Sequence, residues 1–187
     1  MIHPNRRLFQ FFPRFFCLGR EVFGFRGGEW GGSPVEGKRL AFLCLLCNAV
    51  SMEIVLDASA ILAVIVDEPE ARIVIDCTRD AVIVSPNIVS CEVANALSRM
   101  MKRGMVNSKE QMISLIRNFG EIPMRTVGVE LEKALEIAWD NRIYAYDAFY
   151  LETAKRLELP LLTFDSGMIR VAGNLGITVL GGENAGV

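Results

Sequence analysis

Histidine is all but missing from this chain. The one instance, His3, lies near the N-terminus, so everything after it is without imidazole. A Ser-His-Asp or Cys-His nucleophile and a His-ligated zinc are thereby excluded from almost the whole sequence. Cysteine is sparse and odd in number, at Cys17, Cys44, Cys47, Cys77 and Cys91. That count argues against a disulfide framework and for a reducing, cytoplasmic compartment. Cys44 and Cys47 form a lone C-x-x-C inside an apolar run and read as incidental rather than as a redox or metal site. Charge of one sign is also missing in bulk, the formal net charge being −2. Residues 1–51 carry 7 Lys and Arg against 3 Asp and Glu, which leaves 13 basic and 19 acidic residues from 52 onward. The larger part is therefore not a bulk-charge nucleic-acid binder, and any such contact needs a local patch. No apolar run is long enough for a comfortable membrane span, and residues 52–187 contain no repeat, low-complexity stretch or linker.

What is there is apolar and ordered in pattern: 51% hydrophobic and 22% charged residues fit a folded globular chain. Residues 1–51 stand apart. "FFPRFFCLGREVFGFRGGEWGGSPVEG" has no helical or alternating period, and "KRLAFLCLLCNAVS" after it resembles the apolar part of an export signal. The segment before it is too long for an ordinary signal. We read residues 1–51 as a leader without assigned function, a start assigned too far upstream of Met52 in preference to a disordered extension or an export signal. Residues 52–187 are expected to form the functional domain.

From Met52 the pattern alternates between short apolar runs and helical spacing, the mark of a layered β-α-β fold. "EIVLD" (53–57), "AVIVSP" (81–86), "PMRTVGV" (123–129), "PLLTF" (160–164) and "ITVL" (177–180) read as strands. Helices are expected over 58–68, in "EPEARIVIDCTRD", in "NIVSCEVANALSRMMKRG" up to Gly104, and over 107–120 behind an Asn/Ser cap. Further helices follow in "ELEKALEIAWDN", in "AFYLETAKRLEL" opened by Asp147, and in "SGMIRVAGNLG". The expected fold class is α/β, a three-layer α/β/α domain with a mostly parallel central sheet.

Acidic residues stand where this architecture gives them meaning. Asp57 and Asp165 each end a strand, and Asp147 begins a helix. In a parallel sheet such strand ends emerge on one rim, where open α/β sheets place their ligands. Glu92 sits in the apolar part of the helix after the second strand. Singly, each aspartate also reads as a helix N-cap, the preferred reading for Asp165 and one of two for Asp57, and Glu92 as a surface residue. Together they would converge, and converged carboxylates need protonation or a divalent cation. Oxygen donors without His or thiolate suit Mg2+ or Mn2+.

The pieces "MEIVLDASAILA", "SPNIVSCEVANAL" and "YAYDAFYLETAKRLELPLLTFD" resemble the PIN-domain ribonucleases, and among them the VapC-type toxins of toxin–antitoxin pairs. The resemblance runs from Met52 to about Leu180 and omits the leader. It implies a metal-dependent endoribonuclease with Asp57, Glu92, Asp147 and Asp165 as metal-binding catalytic residues. It also implies RNA as substrate, a VapB-type antitoxin and a second copy of the chain as partners. Ser59, Asn95 and Thr163 are candidates to support those acids, each equally readable as an ordinary turn or cap residue. Tyr144, Tyr146, Phe149 and Tyr150 are expected mostly in the core, with one of them free to stack on a base. Arg99, Lys102 and Arg103 could contact RNA phosphates, or simply complement a helix C-terminus. Two rival readings remain, a catalytically silent PIN-like binding module and an aspartyl-phosphate phosphatase or phosphoacceptor. The second would want another aspartate where Ser59 stands, or paired acids ahead of the first strand's end.

Overall fold

The computed structural model describes residues 52–181, so the readings made for the leader, including Cys44 and Cys47, lie outside the described residues. Five short strands form the centre: β1 (Glu53–Leu56), β2 (Val82–Pro86), β3 (Met124–Val127), β4 (Leu161–Leu162) and β5 (Val179–Leu180). Their spatial order is β3-β2-β1-β4-β5, and every neighbouring pair is parallel. The sheet is thus wholly parallel, one step beyond the mostly parallel sheet expected from the sequence. Ile54, Val55, Ile83, Val84, Leu161 and Leu162 are buried, as strands covered on both faces require.

Among the described residues seven helices connect the strands: α1 (Ala58–Val66), α2 (Ala71–Thr78), α3 (Val89–Lys102), α4 (Lys109–Gly120), α5 (Leu131–Asn141), α6 (Ala145–Leu157) and α7 (Ser166–Asn174). Their contacts fall into two sets. Helix α1 packs on α2, α3 and α4, whereas α6 packs on α5 and α7 and crosses β1, β2 and β4. These sets are the two outer layers. Helix α3 faces the core with Val89, Val93, Ala96 and Leu97, spaced i, i+4, i+7 and i+8. Ser108 caps α4 by accepting a hydrogen bond from Gln111 N at 3.1 Å, while Gln111 Oε1 accepts from Asn107 N at 3.0 Å. Helix α6 is the most enclosed, with Ala148, Tyr150, Leu151, Glu152, Thr153 and Ala154 all buried.

The strand order fixes where a site can form. The chain runs outward from β1 to β2 and β3, then returns to place β4 on the other side of β1. The gap above the carboxyl ends of β1 and β4 is therefore the topological switch point, where the connections diverge and leave a crevice. Asp57 follows β1 and Thr163 follows β4.

Candidate acidic site at the carboxyl rim

Asp57 occupies the N-cap position of α1, yet its carboxylate makes no capping bond to that helix. It is 7% exposed and is held from its sides. The Ser59 hydroxyl donates to Asp57 Oδ2, and the Thr163 hydroxyl donates to the same oxygen at 3.1 Å. The backbone is pinned as well. Asp57 N donates to Leu162 O at 3.2 Å, and the buried Ser85 hydroxyl donates to Leu56 O at 2.7 Å. Three strands thus lock the position of one side chain. Burial raises the Asp57 carboxyl above the usual carboxylate range, and the Ser59 and Thr163 hydroxyls offset only part of that shift.

Glu92 enters from the first turn of α3. Its Oε2 accepts a hydrogen bond from the Tyr150 hydroxyl at 2.5 Å, across 58 residues of sequence. Burial raises its pKa, the Tyr150 bond opposes the rise, and repulsion from Asp57 and Asp147 adds to it. The Tyr150 phenol, itself pushed up by burial and by Glu92, stays a donor throughout the physiological range. Asp147 completes the group from α6. That helix begins at Ala145 with Tyr144 as N-cap, so Asp147 lies inside the first turn rather than opening the helix as the sequence suggested. Its pKa is raised by burial first, then by Asp165 and Asp57. Asp165 does what its single-residue reading indicated: Oδ1 caps α7 by accepting from Met168 N at 2.8 Å. Gly167 lets it approach, since a Cβ there would lie 3.0 Å from Oδ1.

Glu92 is thus repelled by Asp57 and Asp147, and Asp147 by Asp165 and Asp57, while among the described residues no Lys or Arg forms an ion pair with any of the four. Arg99 offers Glu92 only a minor attraction. The group is open rather than closed: among the described residues no three His, Cys, Asp or Glu side chains are gathered tightly enough to hold a metal ion. Its chemistry nonetheless fits a hard divalent cation, because the donors are all carboxylate oxygen and their repulsion is otherwise uncompensated. Of the supporting candidates, Ser59 and Thr163 both reach Asp57. Asn95 does not join them; it is exposed, and among the described residues it finds no side-chain hydrogen bond. Sequence reading missed the hydroxyl of Tyr150. Its signal was a tyrosine three residues after Asp147, on the same side of the helix.

Raised carboxyl pKa values carry a sign for stability. The folded state holds these protons more tightly than the unfolded chain, so stability falls as pH rises from about 4 through the raised values. The metal-free protein should gain stability through these groups between neutral pH and pH 5. Glu92→Gln keeps an acceptor for Tyr150 while removing a charge. In EDTA at pH 7.5 it should raise Tm, because the charge that burial and the neighbouring acids disfavour is gone. A melting curve below that of the unaltered protein would show that the repulsion is absent.

A wholly parallel α/β sheet with an acidic crevice at its switch point defines the class. The chain belongs to the PIN-domain family, whose model matches residues 54–174. Similar solved structures include PAE2754 from Pyrobaculum aerophilum, 22% identical with a TM-score of 0.54, covering 71% of this chain and 87% of that one. FitAcB from Neisseria gonorrhoeae is 15% identical with a TM-score of 0.50, covering 68% and 96%. VapBC2 from Rickettsia felis, bound to a DNA fragment from their promoter, is 16% identical with a TM-score of 0.49, covering 68% and 97%. At these identities the likeness is one of fold. No curated protein matches the chain.

Proposed function

We propose that this PIN-domain protein is a metal-dependent endoribonuclease, the toxin of a VapBC-type pair. The observation that carries the reading is the mutual repulsion of Asp57, Glu92 and Asp147 at the switch-point rim, with Asp165 beside them and, among the described residues, no ion pair to neutralise it. Mg2+ or Mn2+ held by these four would supply Lewis-acid activation of water and charge neutralisation at the scissile phosphodiester. The protein's own contribution is placement. Ser59 and Thr163 fix the Asp57 carboxylate, and Tyr150 fixes that of Glu92, so that their lone pairs are aimed before RNA arrives. Cleavage is expected to leave 5′-phosphate and 3′-hydroxyl ends. The test is incubation of purified protein with total RNA in Mg2+ or Mn2+, with EDTA as control and end-mapping of the products.

The partners proposed are RNA, a VapB-type antitoxin that covers the site, and a second copy of the chain, all in the cytoplasm. Exposed Leu131, Leu135 and Trp139 line one side of α5 at i, i+4 and i+8, an apolar stripe that suits a protein partner. Among the described residues no helix is long and apolar enough to cross a membrane. Light scattering of the isolated protein should return twice the chain mass, and Trp139→Glu is expected to shift it toward the monomer if that stripe is the contact.

The openness of the acidic group favours a second reading, a catalytically silent module that retains the fold and binds RNA or protein. Titrating Mn2+ separates the two. A nuclease site should gain several degrees in Tm at millimolar metal, and a silent module should not respond.

A further inference from the structure

Most of the positive charge on this domain is already engaged or scattered, with one exception on α3. Residues 52–187 carry 13 Lys and Arg. Five of them, Arg72, Arg79, Arg125, Lys133 and Arg156, form ion pairs. Of the others, Arg99, Lys102, Arg103 and Lys109 fall close together in sequence, all exposed and, among the described residues, without an acidic partner. No Asp or Glu stands between Glu92 and Glu110 to neutralise them. The placement of two of the four is specific. Arg99 and Arg103 follow Glu92 at i+7 and i+11, so the three positions lie within about 20° of one line down the helix. Helix α3 leaves the rim just after β2 and runs away from it. The line therefore starts at Glu92 and reaches Arg99 after about 10 Å and Arg103 after about 16 Å. Arg99 attracts the Glu92 carboxylate, which ties the upper end of the line to the acidic group.

An acidic rim repels the polyanion it is proposed to cleave. A divalent cation would neutralise the scissile phosphate, but the phosphates beyond it need positive charge from elsewhere on the surface. We propose, resting on the ribonuclease reading above, that the Arg99–Arg103 line of α3 carries the RNA backbone away from the rim, each guanidinium contacting a phosphate beyond the scissile one. The spacing suits a strand: one helical turn between the two arginines is about 6 Å, roughly two nucleotide rises. Arginine also suits the ligand, since its planar fork matches phosphate oxygens. Cations in the last turn of a helix complement its dipole on any face. That effect does not select the one line that continues Glu92.

The test reads the salt dependence of binding, separately from cleavage. Fluorescein-labelled 12-nucleotide RNAs, one of uridines and one of adenosines, are titrated at fixed Ca2+ over a series of KCl concentrations. The proteins are the unaltered chain, Arg99→Ala/Arg103→Ala, Arg99→Lys/Arg103→Lys and Arg79→Ala/Lys155→Ala. The last pair removes the same charge near the amino ends of the strands: Arg79 precedes β2, and Lys155 lines a cavity with Met52, Pro160 and Thr178. Two lost phosphate contacts on a single strand should make the slope of log affinity against log salt shallower by about 1.4. The shift should be the same for both RNAs, because phosphates carry no sequence. The lysine pair should restore the slope, and the Arg79/Lys155 pair should leave it unchanged. An unchanged slope in the Arg99/Arg103 alanine variant, whatever its melting temperature, leaves these residues as helix-end charges and overturns the inference. An equal change in the Arg79/Lys155 pair also overturns it, since bulk charge would then be responsible. If the slope shifts as expected and no RNA is cleaved in Mg2+ or Mn2+, the phosphate line stands and the nuclease reading falls. An unchanged slope with vigorous cleavage sinks the line and leaves the nuclease reading standing. Melting curves confirm that each variant is folded.

Discussion

Asp147→Asn should leave a folded protein whose Mg2+-dependent RNA cleavage is reduced at least about 1,000-fold. Asp147 is half-buried and, among the described residues, finds no side-chain hydrogen bond, so its oxygens are the freest of the acidic group. The amide removes a charge, and a thousandfold loss corresponds to about 4 kcal/mol of transition-state stabilisation. That is in keeping with one charged ligand among the few able to fix a divalent cation. Because the same change relieves repulsion from Asp57 and Asp165, the variant should melt no lower than the unaltered protein in EDTA. Inactivity together with a normal melt supports the assignment. Full activity would remove Asp147 from the site, and the metal proposal with it.

The second large effect lies away from the rim. Arg156→Met is expected to lower stability by about 3–5 kcal/mol in a denaturant titration. Glu152 is only 2% exposed, and its carboxylate depends on the Arg156 guanidinium, with Nε 2.5 Å from Oε1. The same guanidinium donates to Gly128 O at 2.8 Å and approaches Glu130 at 3.7 Å, tying α6 to the loop before α5. Taking away the cation strands a buried charge, which costs more than the pair contributes. Combining Arg156→Met with Glu152→Leu should therefore recover most of the loss, since a buried pair and its apolar replacement are often close in energy. A single variant as stable as the parent would mean that Glu152 finds water or another partner.

The strands were legible because a sheet covered on both faces writes itself as short runs such as "IVL" and "VIV". Asp57 and Asp165 were legible for the same reason: a carboxylate directly after such a run has left the sheet at its rim. Helix ends were less so. Capping preference alone would start α6 at Asp147, but the chain begins it at Ala145 with Tyr144 as N-cap and no side-chain capping bond. Strand lengths shrank likewise. "PLLTF" yields two paired residues, Leu161 and Leu162, and Thr163 directly after them donates its hydroxyl to Asp57. The bond from Tyr150 to Glu92 left only a faint trace, and the i, i+4 spacing of Glu152 and Arg156 allowed a pair without showing that it would be buried. A tyrosine and a glutamate look the same in sequence whether they meet a partner or water. Asn95, one turn on from Glu92, was readable as a supporting side chain from spacing alone, but it is exposed and among the described residues finds no side-chain hydrogen bond.

The hydrogen bond from Thr163 to Asp57 joins positions 106 apart in sequence. No segment of the protein that stops short of β4 can build the crevice, however well its first three strands have paired. A polypeptide still being synthesised would expose Asp57 without its clamp, and contacts of such long range form late and slowly. Competence at the rim therefore waits until β4 and Thr163 behind it have been made and docked beside β1.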